Sequence, residues 1–191
     1  MDIRIKELSK SYGELHVFNR FSCCFPEGKT TCVMGESGIG KTTLIHLLLG
    51  LEKPDAGEIA GVPHGKMAAV FQENRLCENL SAAANVRLTA RRKLDESEIQ
   101  EAFRGVNLKE VYQKPVRELS GGMKRRVAIV RALLADADCV VMDEPFKGLD
   151  EETRKLTAEY VRRCLEGRTL IVVTHDAKDA GLLGADILNL N

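Results

Sequence analysis

The sequence predicts an α/β fold: a mostly parallel sheet flanked by helices, with an N-terminal antiparallel β subdomain and a helical subdomain inserted between strands. Three observations predict it. A short apolar run, "TTCVMG", meets a glycine loop and then a helical run, "KTTLIHLLLG". After residue 120, apolar strand-like runs alternate with helical ones. Between these parts, residues 73–118 are polar and mostly helix-forming.

The elements follow in order. "MDIRIKELSKSYG" alternates Ile3 and Ile5 before Leu8 and predicts an edge strand. "HVFNRFSCCFPEGK" predicts a second strand, turned at Pro26 and Gly28. "TTCVMG" is a short strand that stops at Gly35, and the helix after it ends at Gly50. "GEIAGVPHGKMAAVFQ" reads as more strand with glycine turns. In the helical lobe, "DESE" marks a helix start. "SGGMKRRVAIVRALLAD" is a helix after a double glycine, and "ADCVVMDEP" is a buried strand ending in acids. "DEETRKLTAEYVRRCLEG" is an amphipathic helix with Gly167 as its stop. "TLIVVTHD" is another buried strand, "DAKDAGLLG" a short helix, and "ADILNLN" a last strand.

The bulk properties exclude several classes. The length of 191 residues suits one domain over 1–191, with a real core. Lys+Arg and Asp+Glu stand at 28 each, so no net charge draws the chain to nucleic acid or an anionic membrane. None of the six cysteines forms a CxxC pair, and Cys32 and Cys139 sit in apolar runs as small hydrophobes. The N-terminus has no signal-peptide core. No run approaches the roughly 18 apolar residues of a membrane helix, so a cytosolic chain is expected.

Gly35-x-x-x-x-Gly40-Lys41-Thr42 matches the phosphate-binding P-loop pattern in full. Its glycines let the loop curl so that backbone N–H groups point inward, and the following helix adds its positive end. Glu36, Ser37, Gly38, Ile39 and Thr43 complete the loop. Lys41 supplies a charge to β/γ oxygens, and Thr42 a hydroxyl for Mg²⁺. The expected fold is therefore a P-loop NTPase. "CVVMDEP" places Asp143 at the C-terminal edge of a buried strand, where it suits a Mg²⁺ contact through water. Glu144 follows at once, placed to polarise an attacking water as general base. In "LSGGMKRR", Ser120, Gly121 and Gly122 precede a helix. Ser120 reads both as an N-cap and as part of a second anion-binding helix start, open to a nucleotide held by another copy of the chain.

"LSGGM" resembles the signature sequence of ABC-type ATPases, and the family's other motifs stand in order from Tyr12 to His175. Tyr12 in "KSYG" resembles the aromatic that stacks on adenine. Gln72 in "VFQEN" resembles the glutamine that reaches Mg²⁺ and senses the transmembrane partner. Asp143 and Glu144 match the Walker B aspartate and the catalytic glutamate. Asp150 in "KGLD" resembles the D-loop aspartate, and His175 in "VVTHD" the switch histidine on the γ-phosphate. On residues alone Tyr12 also reads as a surface aromatic, Gln72 and His175 as strand-end polar groups, and Asp150 as a helix cap.

The resemblance implies ATP and Mg²⁺ as ligands and a head-to-tail homodimer. Each ATP would lie between the P-loop of one copy and Ser120, Gly121 and Gly122 of the other. It implies ATP hydrolysis, with closing and reopening of the dimer driving a separate transmembrane permease at the cytoplasmic face of the membrane. The lobe at 73–118 would be the docking face, and a solute-binding protein would join an importer. The finer likeness is to bacterial importer ATPases for nitrate, sulfonate or taurine. Cys77-Glu78-Asn79 departs from that pattern, as does the compact spacing from Lys41 to Gln72. The end of the chain soon after His175 leaves no room for a C-terminal regulatory domain. Two other readings are a P-loop kinase or GTPase acting on a small molecule, and a soluble ABC-type ATPase outside transport. The first leaves "LSGGM" and His175 unexplained.

Overall fold

A computed structural model describes residues 1–165 and 167–190. Three strands form an antiparallel sheet in the order β2-β1-β4: β1 (Ile3–Tyr12), β2 (Leu15–Phe25) and β4 (Ala56–Ala60). Five form a parallel sheet in the order β5-β6-β7-β3-β8: β3 (Thr30–Met34), β5 (Met67–Val70), β6 (Cys139–Asp143), β7 (Thr169–Val173) and β8 (Asp186–Asn189). The helices are α1 (Lys41–Leu48), α2 (Ala82–Arg87), α3 (Glu96–Gly105), α4 (Gly121–Leu133), α5 (Glu151–Cys164) and α6 (Ala177–Leu183).

One expectation is corrected. β1 is the central strand of its sheet, not an edge, because β4 pairs with its free side. Its alternation breaks between Ile5 and Leu8 at a register shift, where Glu7 takes φ 46°. The bulge keeps Ile3, Ile5 and Leu8 all buried despite the odd spacing. "GEIAGVPHGKMAAVFQ" divides between the two sheets, as β4 and β5. α5 runs to Cys164; Glu166, inside its expected span, lies outside the described residues, as does Asn191 of the expected last strand.

The inner strands of the parallel sheet, β6 and β7, are buried on both faces. Cys139 and Val141 of β6 join a core with α1 and the antiparallel sheet, while Val140 and Met142 join the core beneath α2, α3, α4 and α5. β7 alternates likewise, with Ile171 and Val173 on one side and Leu170 and Val172 on the other. Such strands read as continuous apolar runs because neither side meets water. Residues 73–118 hold α2, α3 and a 3₁₀ turn at Val116–Glu118. Asn85 on α2, fully buried, accepts from the Cys77 amide (2.8 Å) and donates to the carbonyls of Cys77 (3.0 Å) and Ser81 (3.1 Å).

The site follows from the strand order. β5, β6, β7 and β3 are neighbours, so the segments leaving their carboxyl ends meet at one edge of the sheet, where open α/β folds place their ligands.

Candidate functional site

Between β3 and α1 the chain makes a tight loop. Gly38 and Gly40 take φ 85° and 108°, conformations that side chains bearing a Cβ avoid. Gly40 is doubly constrained, because a Cβ there would sit 2.4 Å from Val17 Cγ1. As N-cap of α1 it offers no side-chain acceptor. The first N–H groups of the helix therefore stay available to an anion, and the helix dipole favours one. Lys41 Nζ arches over the loop and donates to the carbonyls of Gly35 and Glu36, both at 2.7 Å. Ile39 packs its side chain onto the core shared with the antiparallel sheet, which anchors the loop from behind.

A cleft of about 460 Å³ opens above this loop. Ser37, Gly38, Gly40, Lys41, Thr42 and Thr43 form one wall. Gln72 from the end of β5, Asp143 and Glu144 from β6, Lys147, and His175 after β7 form the other. A larger cavity of about 940 Å³, around Gly28, Tyr160 and Gly184, contains none of the predicted residues.

The acids differ in setting. Asp143 is 3% exposed, and burial pushes its carboxyl above the usual range. The Thr42 hydroxyl, which donates to Asp143 Oδ2 at 3.3 Å, opposes that shift, and the charges of Arg125 and Lys41 do so more weakly. A cation here would relieve a buried carboxylate held by one hydroxyl. The Thr42 hydroxyl, the Asp143 carboxylate and the Gln72 amide are hard oxygen donors, a set that fits Mg²⁺. Glu144 takes φ 48°, a strained conformation for a residue with a side chain, and its amide donates to the Val173 carbonyl at 2.8 Å. Its Oε1 accepts from His175 Nδ1 at 2.6 Å. His175 is held from below. Thr174, fully buried, donates to Asp179 Oδ2 at 2.5 Å, and Arg154 on α5 pairs with Asp176 at 2.7 Å and with Asp179.

Other predicted residues stand apart from the cleft. Tyr12 ends β1 and is 45% exposed. Its hydroxyl donates to Glu52, which raises the phenol above its usual pKa, while the Thr43 hydroxyl pulls the other way. Tyr12 thus stands beside the last residue of the loop. Ser120 caps α4, accepting from the Met123 amide at 3.3 Å, and Ser120 and Gly121 are exposed. Gly122 faces Leu149, and a Cβ on it would reach Leu149 Cδ2 at 3.4 Å. Asp150 caps α5, accepting from the Thr153 amide at 2.9 Å, so its cap reading holds. None of these five residues lines the cleft.

Two residues escaped the sequence reading. Lys147 lines the cleft from within "DEPFKGLD". Arg125 is 5% exposed on α4 and, among the described residues, donates only to oxygens of the segments at 71–74 and 143–145. The available signal was its place on the helix: it precedes the buried Ala128, Ile129 and Ala132 by three, four and seven residues, on one helical face.

A family profile described as "ABC transporter" matches residues 18–147. The sulfate/thiosulfate import ATP-binding protein CysA of Anthoceros angustus is 31% identical, over 100% of this chain and 54% of that protein. The taurine import ATP-binding protein TauB of Pelagibacter ubique is 34% identical, over 89% of this chain and 69% of that protein. The chain thus spans about half the length of the sulfate-import relatives. Among solved structures, the dimeric bacterial ABC transporter cassette MJ0796 superposes with a TM-score of 0.86 at 28% identity, covering 98% of this chain and 94% of that one. The same cassette in a dimeric post-hydrolysis state bound to ADP and Pi gives 0.85 at 27%, covering 99% and 94%.

Proposed function

The chain belongs to the ABC transporter family, and we propose on that premise that it is the ATP-hydrolysing subunit of a solute importer. One observation carries the reading: its motifs fall in two separate places. The P-loop, Gln72, Asp143, Glu144 and His175 share one cleft, whereas Ser120, Gly121 and Gly122 lie outside it at an exposed helix start. A motif set split in this way suits a site completed by a second copy, and the similar cassette MJ0796 is described as dimeric.

In this mechanism the loop from Gly35 to Thr43 cradles the phosphates of ATP, and Lys41 leaves the Gly35 and Glu36 carbonyls to reach the β/γ oxygens. Tyr12, beside Thr43, stacks on the adenine. Thr42, Asp143 and Gln72 would hold Mg²⁺, which would supply charge neutralisation for the phosphate groups. Glu144 takes a proton from the attacking water. His175, steadied by Glu144, holds the γ-phosphate in line and spreads its developing charge. Ser120, Gly121 and Gly122 of a second copy close over the γ-phosphate, with Asp150 at the interface. ATP favours the closed pair and hydrolysis releases it. The whole chain, residues 1–191, acts as one ATPase domain at the cytoplasmic face of the membrane. Residues 73–118 dock on a separate permease, and a solute-binding protein delivers the cargo. The import direction is supported by the import-type names of the relatives, whose cargoes range from sulfate and taurine to polyamines.

The solution mass of the Glu144→Gln variant tests this, measured by light scattering with and without Mg-ATP. A monomer that becomes a dimer only with Mg-ATP is expected. Glu144→Gln should also lower kcat by roughly 10²–10⁴, the range for loss of a general base. Lys41→Ala should bind no ATP and never dimerise. A Glu144→Gln protein that hydrolyses ATP at the wild-type rate overturns the assignment of the base.

A further inference from the structure

We propose that Arg125 is a positioning residue that ties the two segments of the cleft bearing Gln72 and Glu144 to the start of α4, so that the hydrolytic groups and Ser120–Gly122 shift as one body. The proposal deepens the dimer reading above and rests on it.

The guanidinium bridges three parts of the chain. Nη1 donates to the carbonyls of Phe71 and Gln72 (3.3 Å) and to Asn74 Oδ1 (3.4 Å). Nη2 donates to the carbonyls of Asp143 and Glu144 (2.6 Å), and Nε to that of Pro145 (3.2 Å). Its planar fork is rigid, so the directions of its donors fix the two segments relative to each other. The third part is α4 itself. Arg125 lies five residues after Ser120, about 7.5 Å along the helix axis at 1.5 Å per residue.

Packing alone does not account for this residue. Burying a guanidinium is costly, and the same face of α4 is otherwise filled by Ala128, Ile129 and Ala132. Among the described residues none of its acceptors is a carboxylate oxygen; apart from the Asn74 amide they are backbone carbonyls. The charge is therefore spent on holding backbone in place. Part of that backbone is strained. Glu144 at φ 48° persists only if its surroundings over-determine it, and they do so from both sides: the Val173 carbonyl takes its N–H, and Arg125 its C=O. Gln72 is held by the same guanidinium through its own carbonyl.

The test uses the full chain with Arg125→Gln, which keeps a shorter polar group, and Arg125→Lys, which keeps the charge but loses the fork. Affinity for ATP without Mg²⁺ is measured by calorimetry, kcat and KM by phosphate release with Mg-ATP, and ATP-driven dimerisation in the Glu144→Gln background. Arg125→Gln should bind ATP without Mg²⁺ within about threefold of wild type, because the loop and Lys41 are untouched, while kcat falls at least tenfold. In the Glu144→Gln background it should raise the ATP concentration needed for dimerisation at least fivefold. Arg125→Lys should show the same split, since a single ammonium cannot span both segments. If Arg125→Gln does not fold, Arg125→Lys decides by the same measurements. Wild-type kcat in a folded variant overturns the proposal, and so does a parallel loss of ATP affinity and kcat, which marks a merely structural role. A Glu144→Gln protein that dimerises equally well with and without the Arg125 change overturns the proposal but leaves the dimer reading intact. A parent Glu144→Gln protein that stays monomeric in Mg-ATP sinks that reading and the link to α4 with it.

Discussion

His175 Nδ1 lies 2.6 Å from Glu144 Oε1, joining the ends of two neighbouring strands, β6 and β7, across the floor of the cleft. The two side chains form one unit: the imidazole orients the carboxylate, and the carboxylate fixes which ring nitrogen carries the proton. His175→Ala should therefore lower kcat by roughly 10²-fold, as loss of the group that orients the general base does, with little change in ATP affinity. Because groups acting as a unit are non-additive, Glu144→Gln with His175→Ala should be within a few fold of the slower single variant. Steady-state phosphate release on all three proteins checks this, and multiplicative losses would show that the residues act independently.

The two loop glycines should separate strain from collision. Gly38 and Gly40 both have positive φ, but a Cβ on Gly38 meets nothing within 4 Å, whereas one on Gly40 strikes Val17 and Phe18. Gly38→Ala should cost about 1 kcal/mol of stability, and Gly40→Ala about 2–4 kcal/mol with at least tenfold weaker ATP binding. Urea unfolding and nucleotide titration of both variants are the check, with equal effects the adverse result.

Asn85 organises the bend that follows the Gln72 segment. Its buried amide bonds the backbone of Cys77 and Ser81, so Asn85→Ala strands both a donor and acceptors. A loss of about 2–3 kcal/mol is expected, roughly 4–12 °C in Tm for a chain of this size. Asn85 does not line the cleft, and ATP affinity per folded molecule should hold. Calorimetric melting gives the answer, and an unchanged Tm would refute it.

The ion pair beneath His175 should appear in the acid limb of the stability profile. The Arg154 guanidinium, 2.7 Å from Asp176, holds that carboxyl below its usual range, and the Lys178 amide adds to the effect. A depressed folded-state pKa contributes stability that is present above the unfolded value of about 3.9 and is lost as pH falls through the folded value. Asp176→Asn should therefore flatten the dependence of stability on pH below about pH 4 and leave its slope unchanged near neutrality. Unfolding curves between pH 3 and 7 test the slope, which would stay steep if Asp176 did not titrate with folding.

Legibility varied along the chain for physical reasons. "GESGIGKTT" was readable because its chemistry is local: the glycine φ values, the helix start and the lysine all lie within nine residues. "CVVMDEP" and "TLIVVTHD" were readable because strands buried on both faces must be apolar throughout, so the polar residues at their ends stand out. In "DIRIKEL" the alternation showed that one face was buried. It held no trace of β4, some fifty residues away, whose pairing turns an edge strand into a central one. Arg125 was passed over because one arginine among "KRR" looks like solvated charge until its carbonyl partners, from segments 51 to 54 residues upstream and 18 to 20 downstream, are in place.

The sequence by itself determined the α/β class, the phosphate loop and the order of motifs that marks the family, because each is written in residues close together in the chain. Tertiary structure alone decided that Gln72, Glu144 and His175 meet Lys41 in one cleft while Ser120–Gly122 lie outside it. That outcome depends on the strand order β5-β6-β7-β3, set by packing two apolar faces of one sheet, and no local pattern encodes which strands become neighbours.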